Sequence, residues 1–302
     1  MNEILVVGSL NMDLVTYVPY LPAEGETIAS SKFLTIPGGK GANQAVAMGK
    51  LGASVRMIGK VGTDEYGSML LNSLRNSNVK TDGIIEDGLT GMAFINVAES
   101  GENNIVLVPG ANAEITKLDI DQLSLFIETS DVIIMQLEIP LEVVKHVADI
   151  ASKYNKKLIL NPAPVMELSR ELLQHVHTII PNEVELGMLT KSNITSSEDV
   201  IRASKELISL GVKRVVVTLG SKGAVIVTNK NIIKIPAFQV EVVDTTAAGD
   251  SFIAGFAVGI TKGMSDEDAA IFASKVAGIV VTREGAQSSI PTLDEIDKVQ
   301  LV

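Results

Sequence analysis

Short apolar runs that end in small or polar residues recur along the chain. Ile4-Leu-Val-Val7 stops at Gly8-Ser9, and Val55-Arg-Met-Ile58 stops at Gly59. Asp131-Val-Ile-Ile-Met135 stops at Gln136-Leu-Glu138, Lys157-Leu-Ile-Leu160 at Asn161-Pro-Ala-Pro164, and Val215-Val-Val-Thr-Leu219 at Gly220-Ser-Lys-Gly223. Ile179-Ile180 likewise leads into Pro181-Asn-Glu-Val-Glu185. Continuous apolar runs of this kind read as strands covered on both faces, the habit of a parallel sheet. Helices are predicted at Gln44–Leu51, Asp64–Asn76, Leu141–Tyr154, Ser197–Leu210 and 265–281. Repeated strand–helix alternation implies a doubly wound sheet. Residues 14–37 break the rhythm, mixing Val15, Tyr17, Val18, Tyr20 and Phe33 with Pro19, Pro22 and Gly25. Met92–Val97 and Asn104–Val108 read as a hairpin, as do Ala224–Thr228 and Ile232–Ile235. The expected architecture is one α/β domain over residues 1–302. It has a large doubly wound, mostly parallel sheet flanked by helices, with a small β-sheet lid from about 14–37 and 90–110. No internal repeat, low-complexity tract or linker interrupts it.

In such a sheet, ligands gather at the carboxyl ends of the strands. The most informative stretch is Asp244-Thr-Thr-Ala-Ala-Gly-Asp-Ser-Phe252. An extended arm, Val240–Val243, enters it, and the apolar segment Phe252–Ile260 leaves it. If Asp250 or Ser251 caps the following helix, the free N–H groups of the first turn face a loop of small residues, Thr246 to Gly249. That is a backbone anion site with an acid at its mouth, suited to moving a phosphoryl group onto a hydroxyl. A plain strand-to-helix turn with an Asp near its cap is the competing reading. A carboxylate at a helix N-terminus is expected to have a low pKa. Pro37-Gly-Gly-Lys-Gly-Ala-Asn43 reads as a second ligand loop before a helix, with Lys40 and Asn43 as donors. It is neither a Walker A loop nor a G-x-G-x-x-G fingerprint. Asn11 and Asp13 follow the first strand, and at alternate positions they reach one polyol together or point apart. Glu138, Asn182, Glu185 and Thr218 to Gly223 follow other strands. Each has a bland alternative, as a solvated charge, a helix cap or a turn residue.

Composition narrows the field. The 302 residues are 46% hydrophobic and 20% charged, which is a folded, globular balance. A net charge of -11 argues against a nucleic-acid or anionic-membrane binder. No cysteine is present, which excludes disulfides and Cys-based metal or redox sites. No apolar run approaches the length that spans a bilayer, and the N-terminal segment lacks a signal-peptide pattern, so the expected address is the cytoplasm. His175-Val-His177 could form a metal pair but has no third ligand in sequence.

Taken together, Gly38–Asn43 and Asp244–Asp250 resemble the ribokinase/PfkB family of carbohydrate kinases. Gln136-Leu-Glu138, Asn161–Pro164, Pro181-Asn-Glu183, Thr218–Ser221 and Thr282-Arg283 extend the similarity from Gly8 to Pro291. The resemblance implies ATP-dependent phosphorylation of D-ribose at its 5-hydroxyl. It implies that Asn11, Asp13, Gly39, Lys40, Gly41, Ala42, Asn43 and Glu138 hold the sugar. Asn182, Glu185, Thr218, Leu219, Gly220, Ser221, Lys222, Gly223 and Gly249 would line the nucleotide. Ser274 would fall near the adenine, at a position where relatives often carry Asn or His. Ala247, Ala248 and Gly249 would form the anion hole, with Asp250 as base, against both sugar and nucleotide. Mg²⁺ would accompany ATP. Potassium would be held by Asp244, Thr246, Val280, Arg283, Gly285 and Ser289, several through backbone carbonyls. A homodimer through the lid is implied as well. A kinase for another sugar, a sugar acid or a nucleoside is the alternative within the class. A non-catalytic sugar sensor is the alternative outside it. A nicotinamide-dependent oxidoreductase would need a fingerprint that Gly8–Asp13 lacks.

Overall fold

The structure is a computed structural model and describes residues 2–299. In chain order its elements are β1 (Glu3–Val7), β2 (Asn11–Val18), β3 (Lys32–Gly38), α1 (Lys40–Lys50), β4 (Ser54–Val61), α2 (Glu65–Asn76), β5 (Val79–Glu86), β6 (Gly91–Ala98), β7 (Asn103–Val108), α3 (Lys117–Gln122), α4 (Ser124–Thr129) and β8 (Val132–Met135). They continue with α5 (Leu141–Lys153), β9 (Lys157–Leu160), α6 (Arg170–His175), β10 (Thr178–Ile179), α7 (Glu183–Thr190), α8 (Ser197–Ser209), β11 (Arg214–Thr218), β12 (Ala224–Thr228), β13 (Ile232–Ile235), α9 (Ala248–Thr261), α10 (Asp266–Val280) and α11 (Leu293–Lys298).

Nine strands form the large sheet in the order β13-β12-β11-β10-β9-β8-β1-β4-β5. All neighbours from β11 to β5 pair in parallel, and β12 and β13 add an antiparallel edge. Strand alternation divides the core in two. Ile4 and Val6 face residues of α1, α2, α9 and α10, whereas Leu5 and Val7 face α5 and α8. From β1 the chain winds out to β4 and β5, then returns to β8 and moves the other way. The reversal lies between β1 and β8, and such a crevice is where open α/β sheets bind ligands.

A separate four-stranded sheet has the order β3-β2-β6-β7. It recruits both stretches that broke the strand–helix rhythm. β7 is exposed along its whole length, including Ile105, Val106, Leu107 and Val108. No helix among the described residues is long and apolar enough to cross a membrane.

Two helix starts differ from the sequence reading. α1 begins at Lys40 and not Gln44, because Gly39 makes the turn itself with φ 87°. Lys40 to Asn43 are therefore the first helical turn and not a loop. α9 begins at Ala248, and the left-handed Ala247 (φ 60°) stands at its cap without a side-chain hydrogen bond. Neither Asp250 nor Ser251 caps the helix; Asp250 is in its first turn. Close contact with α10 pins α9 in place. A Cβ on Gly255 would lie 2.9 Å from Ala273 Cα. The arm at 240–243 pairs in no strand, but Val243 N and Asp244 N both donate to Val281 O. β5 and the short helices α3, α4, α6 and α11 carry too few residues of clear period to be read in advance.

Candidate active site

The crevice at β1 and β8 is closed by hydrogen bonds between its two sides. Ser9 Oγ, just past β1, donates to Glu138 Oε2 at 2.5 Å, and Lys40 N donates to the same oxygen at 3.1 Å. Asn11 and Asp13 do not lie in a loop beyond β1. They sit on β2 of the small sheet, two residues apart and therefore on one face. Asn11 is buried and accepts a hydrogen bond at 2.7 Å from Asn112 Nδ2. Asn112 also bonds the backbone of Leu10 as donor and acceptor, so it locks the passage from the large sheet to the small one. No sequence motif had pointed to Asn112.

α1 packs against α9, and their first turns meet at Asp250. Gln44 Nε2 donates to Asp250 Oδ1 at 2.9 Å, and Asn43 Nδ2 donates to Oδ2 at 3.3 Å. Each donor is itself held. Gln44 is fully buried; its Oε1 accepts from Gln136 Nε2 at 2.6 Å, and its Nε2 also reaches Asn161 Oδ1 at 3.2 Å. Asn43 Oδ1 accepts from Gln287 Nε2 at 3.1 Å, and Gln287 Oε1 accepts from Ser73 Oγ at 2.6 Å. Gln136 and Asn161 stand in stretches that the sequence reading quoted, and Gln287 lies just beyond one of them, but their part in holding the acid was not legible there.

The electrostatics follow from crowding. Burial pushes Asp13 up to about 7, helped by the charges of Glu138 and Asp250 and opposed by Lys40. Burial also raises Asp250 above the ordinary carboxylate value, against the pull of Lys40, Gln44 and Asn43. This reverses the expectation of a low pKa, because loss of water outweighs the helix terminus. Burial acts to lower Lys40, but Asp250, Glu138, Glu185 and Asp13 together hold it above its ordinary value. Burial raises Glu185 too, against a bond from Asn182 N and the charge of Lys40. The site is one ammonium among four carboxylates, which a bound phosphate chain would join as further anion.

Two cavities meet here. A polar one of about 190 Å³ is lined by Lys40, Asn161, Asn182, Glu185, Thr218, Gly249 and Asp250, with Ala163, Ile180, Ala247 and Ile253. An apolar one of about 300 Å³ is lined by Gly220, Ser221, Gly223, Ala237, Phe238, Val240, Val242, Phe252, Ser274, Ala277, Gly278 and Val281. Thr218 and Gly249 belong to both. The residues expected to line the nucleotide therefore divide between the cavities. Asn182 and Glu185 also form a reciprocal capping box at α7, so the cap reading of Asn182 holds. Leu219 packs against the core, and Lys222 pairs with Glu183 at 3.3 Å. Above Gly249 is open space, since a Cβ there would meet nothing within 4 Å. Its N–H lies in the first turn, where no intrahelical acceptor is available. Ala248 N donates to Thr245 O at 3.2 Å.

Ahead of α9, two loops are drawn together. Gly285 N donates to Asp244 Oδ2 at 2.9 Å, and Thr246 donates to Oδ1 through N at 2.8 Å and Oγ1 at 2.6 Å. Burial works to raise Asp244, but these three bonds outweigh it and hold the carboxyl low. Ser289 Oγ donates to Ala286 O, and the Arg283 side chain reaches Glu295 at 2.9 Å. Among the described residues no group of three or more His, Cys, Asp or Glu is placed to cage a metal. His175 and His177 do not converge, for His175 pairs with Asp149 and His177 with Thr178.

Comparison with known proteins places this geometry. The pfkB family carbohydrate kinase model matches residues 1–293. A ribokinase of Haemophilus influenzae is 41% identical over 296 residues, covering 97% of each chain. The crystal structure of a Thermotoga maritima ribokinase superposes with a TM-score of 0.91 at 39% identity, covering 98% of each chain. The structure of Arabidopsis thaliana ribokinase complexed with ribose and ATP superposes with a TM-score of 0.94 at 33% identity, covering 99% of this chain and 98% of that one. A family match of this extent, over a site with a first-turn acid and open helix N–H groups, means that the chain belongs to the pfkB family of carbohydrate kinases.

Proposed function

We propose that this chain transfers the γ-phosphoryl group of ATP to the 5-hydroxyl of D-ribose, giving D-ribose 5-phosphate and ADP. The observation that carries this reading is the place of Asp250. Asp250 lines the polar cavity beside Gly249, one of the two residues at which the apolar cavity joins it. The relatives described above, two of them ribokinases at about 40% identity, support the choice of ribose.

The sugar sits against Asn11 and Asp13 on β2, the first turn of α1 from Lys40 to Asn43 with Gly39 before it, and Glu138. The base of ATP enters the apolar cavity by Ser274 and Ala277, and the phosphates run past Gly220 to Gly223 towards Gly249. Asp250 accepts the proton of the 5-hydroxyl as its oxygen bonds to the γ-phosphorus, and the bond to the β-phosphate oxygen breaks to release ADP. The raised pKa makes Asp250 a stronger base than an ordinary aspartate. Gly249 N–H and Lys40 stabilise the charge on the moving group. The small sheet closes over the sugar and excludes water, which limits ATP hydrolysis.

Mg²⁺ accompanying ATP needs one or two protein carboxylates, and Glu185 on the cavity wall fits that need. The carboxylate of Asp244, the hydroxyls of Thr246 and Ser289, and the carbonyls of Val280, Arg283 and Gly285 are hard oxygen donors that suit potassium. Bound there, potassium would brace the loop that leads into α9. We place the reaction in the cytoplasm, where ATP is available. We further propose a homodimer through the small sheet, because Phe33, Phe94, Ile105 and Leu107 leave apolar surface on it. Light scattering at micromolar concentration checks this, and a monomer would overturn it.

The deciding experiment is ADP release from Mg-ATP with ribose, deoxyribose, fructose, adenosine and 2-keto-3-deoxygluconate, each with and without potassium. Ribose-dependent release raised by potassium is expected. Release with another acceptor alone would move the sugar assignment. Sugar binding without release would favour a sensor.

A further inference from the structure

We propose that Gln44 is a positioning residue that gives the two oxygens of Asp250 different tasks, fixing Oδ1 and leaving Oδ2 to take the hydroxyl proton. The inference rests on Asp250 as the proton acceptor.

The geometry leaves Gln44 one useful orientation. Its Nε2 serves Asp250 Oδ1 at 2.9 Å and Asn161 Oδ1 at 3.2 Å, so its amide protons face two acceptors. Its Oε1 accepts from Gln136 Nε2 at 2.6 Å. Turning the amide over would set oxygen against two oxygens and nitrogen against nitrogen. Asn161 is oriented in turn by Nδ2 donating to Ile180 O at 3.3 Å. Gln136 is itself fully buried, so the amide that Gln44 accepts from is held in the core.

Oδ2 is held differently. Its bond from Asn43 Nδ2 is longer, at 3.3 Å, and Asn43 is in the half-turn that the sugar would touch. Each oxygen thus accepts one bond, and the one on Oδ2 is the longer and comes from the sugar side, so it is the more readily exchanged for a substrate hydroxyl. The charged groups that face Asp250 are Lys40 from α1, Glu138 beyond β8, Glu185 from α7 and Asp13 from β2. None of them is changed by altering Gln44, so the consequence of removing its N–H is readable. A donor to the ionised form favours that form, and its loss moves the titration of Asp250 upward.

The test uses the full chain with ribose and Mg-ATP, or whichever acceptor the panel identifies. Q44M keeps the bulk and removes the donor. It is expected to lower kcat by about 10- to 100-fold, with the KM for sugar changed by less than about threefold. The acid limb of kcat/KM should move up by about one pH unit. In a D250N background, Q44M should cost nothing further, because it acts through Asp250. Q136M, which leaves Gln44 but frees its amide, should show the same pattern more weakly, and it carries the test if Q44M fails to fold. An unmoved acid limb, or a full additional loss in D250N, would overturn the positioning role while leaving Asp250 as base. Near-normal turnover by D250N would overturn the base assignment and this inference with it.

Discussion

The polar and apolar cavities share Thr218 and Gly249 but are built from opposite materials. The polar one is walled by charged and amide side chains, among them Lys40, Glu185 and Asp250 on the first turns of α1, α7 and α9, and Asn161, Asn182, Glu185 and Asp250 are each held by a hydrogen bond. The apolar one is walled by aliphatic and aromatic side chains from the 237–242 segment, α9 and α10. The first fixes atoms to within a hydrogen bond and suits chemistry. The second offers area and shape and suits a flat, weakly polar group such as a nucleotide base. Changes in the two should therefore fail differently, in rate on one side and in affinity on the other.

The largest effect is expected at Asp250. D250N keeps shape and removes the carboxylate proposed as base, so kcat should fall by about 10³-fold, with ribose affinity within about threefold of wild type by calorimetry. A loss confined to affinity would erase the contrast between the cavities. The wild-type rate should fall as pH drops through the raised pKa of Asp250, at higher pH than an ordinary aspartate would give. On the apolar side, Ala277→Phe fills part of the cavity that Ala277 lines. It should raise the KM for ATP by about tenfold and leave the KM for ribose and the pH profile in place. An equal effect on ribose would show that the cavities are not separable.

The contrast also explains what the sequence disclosed. Strand runs, the α/β architecture and the polar wall were legible because chemistry demands rare residue combinations at strand ends, such as Gly38–Asn43 and Asp244–Asp250. The partners behind them were hidden. Gln44 and Asp250 lie far apart in sequence, and nothing local to either marks their bond. The apolar wall was largely invisible, because Phe238, Val240 and Val242 resemble any apolar segment until α10 is placed across from them. Asp250's pKa was misjudged for the same reason. A helix N-terminus can be read from neighbours in sequence, whereas burial, which outweighs the pull of Lys40, Gln44 and Asn43, is set by elements packed around α9 from elsewhere in the chain.

The smallest and sharpest effect is expected at Asp13. Its carboxyl lies near 3.8 when exposed to water and is pushed to about 7 in the fold, chiefly by burial and then by Glu138 and Asp250. Between those values the folded chain holds a proton that the unfolded chain has released. Stability is therefore lost as pH rises through this window, and the full penalty stands above about 7. Asp13→Asn removes the charge and keeps the shape. It should leave the melting temperature nearly unchanged at pH 4 and raise it by about 4 °C at pH 8, for a gain on the order of 2 kcal/mol. Ribose affinity should weaken in the same variant, because the asparagine cannot accept through both oxygens. A melting curve that drops at pH 8 would mean that Asp13 is held by favourable contacts. A rise there, with weaker sugar binding, would mean that the charged cluster of Asp13, Glu138 and Asp250 is kept at the expense of the fold, as sites preorganised for a ligand are.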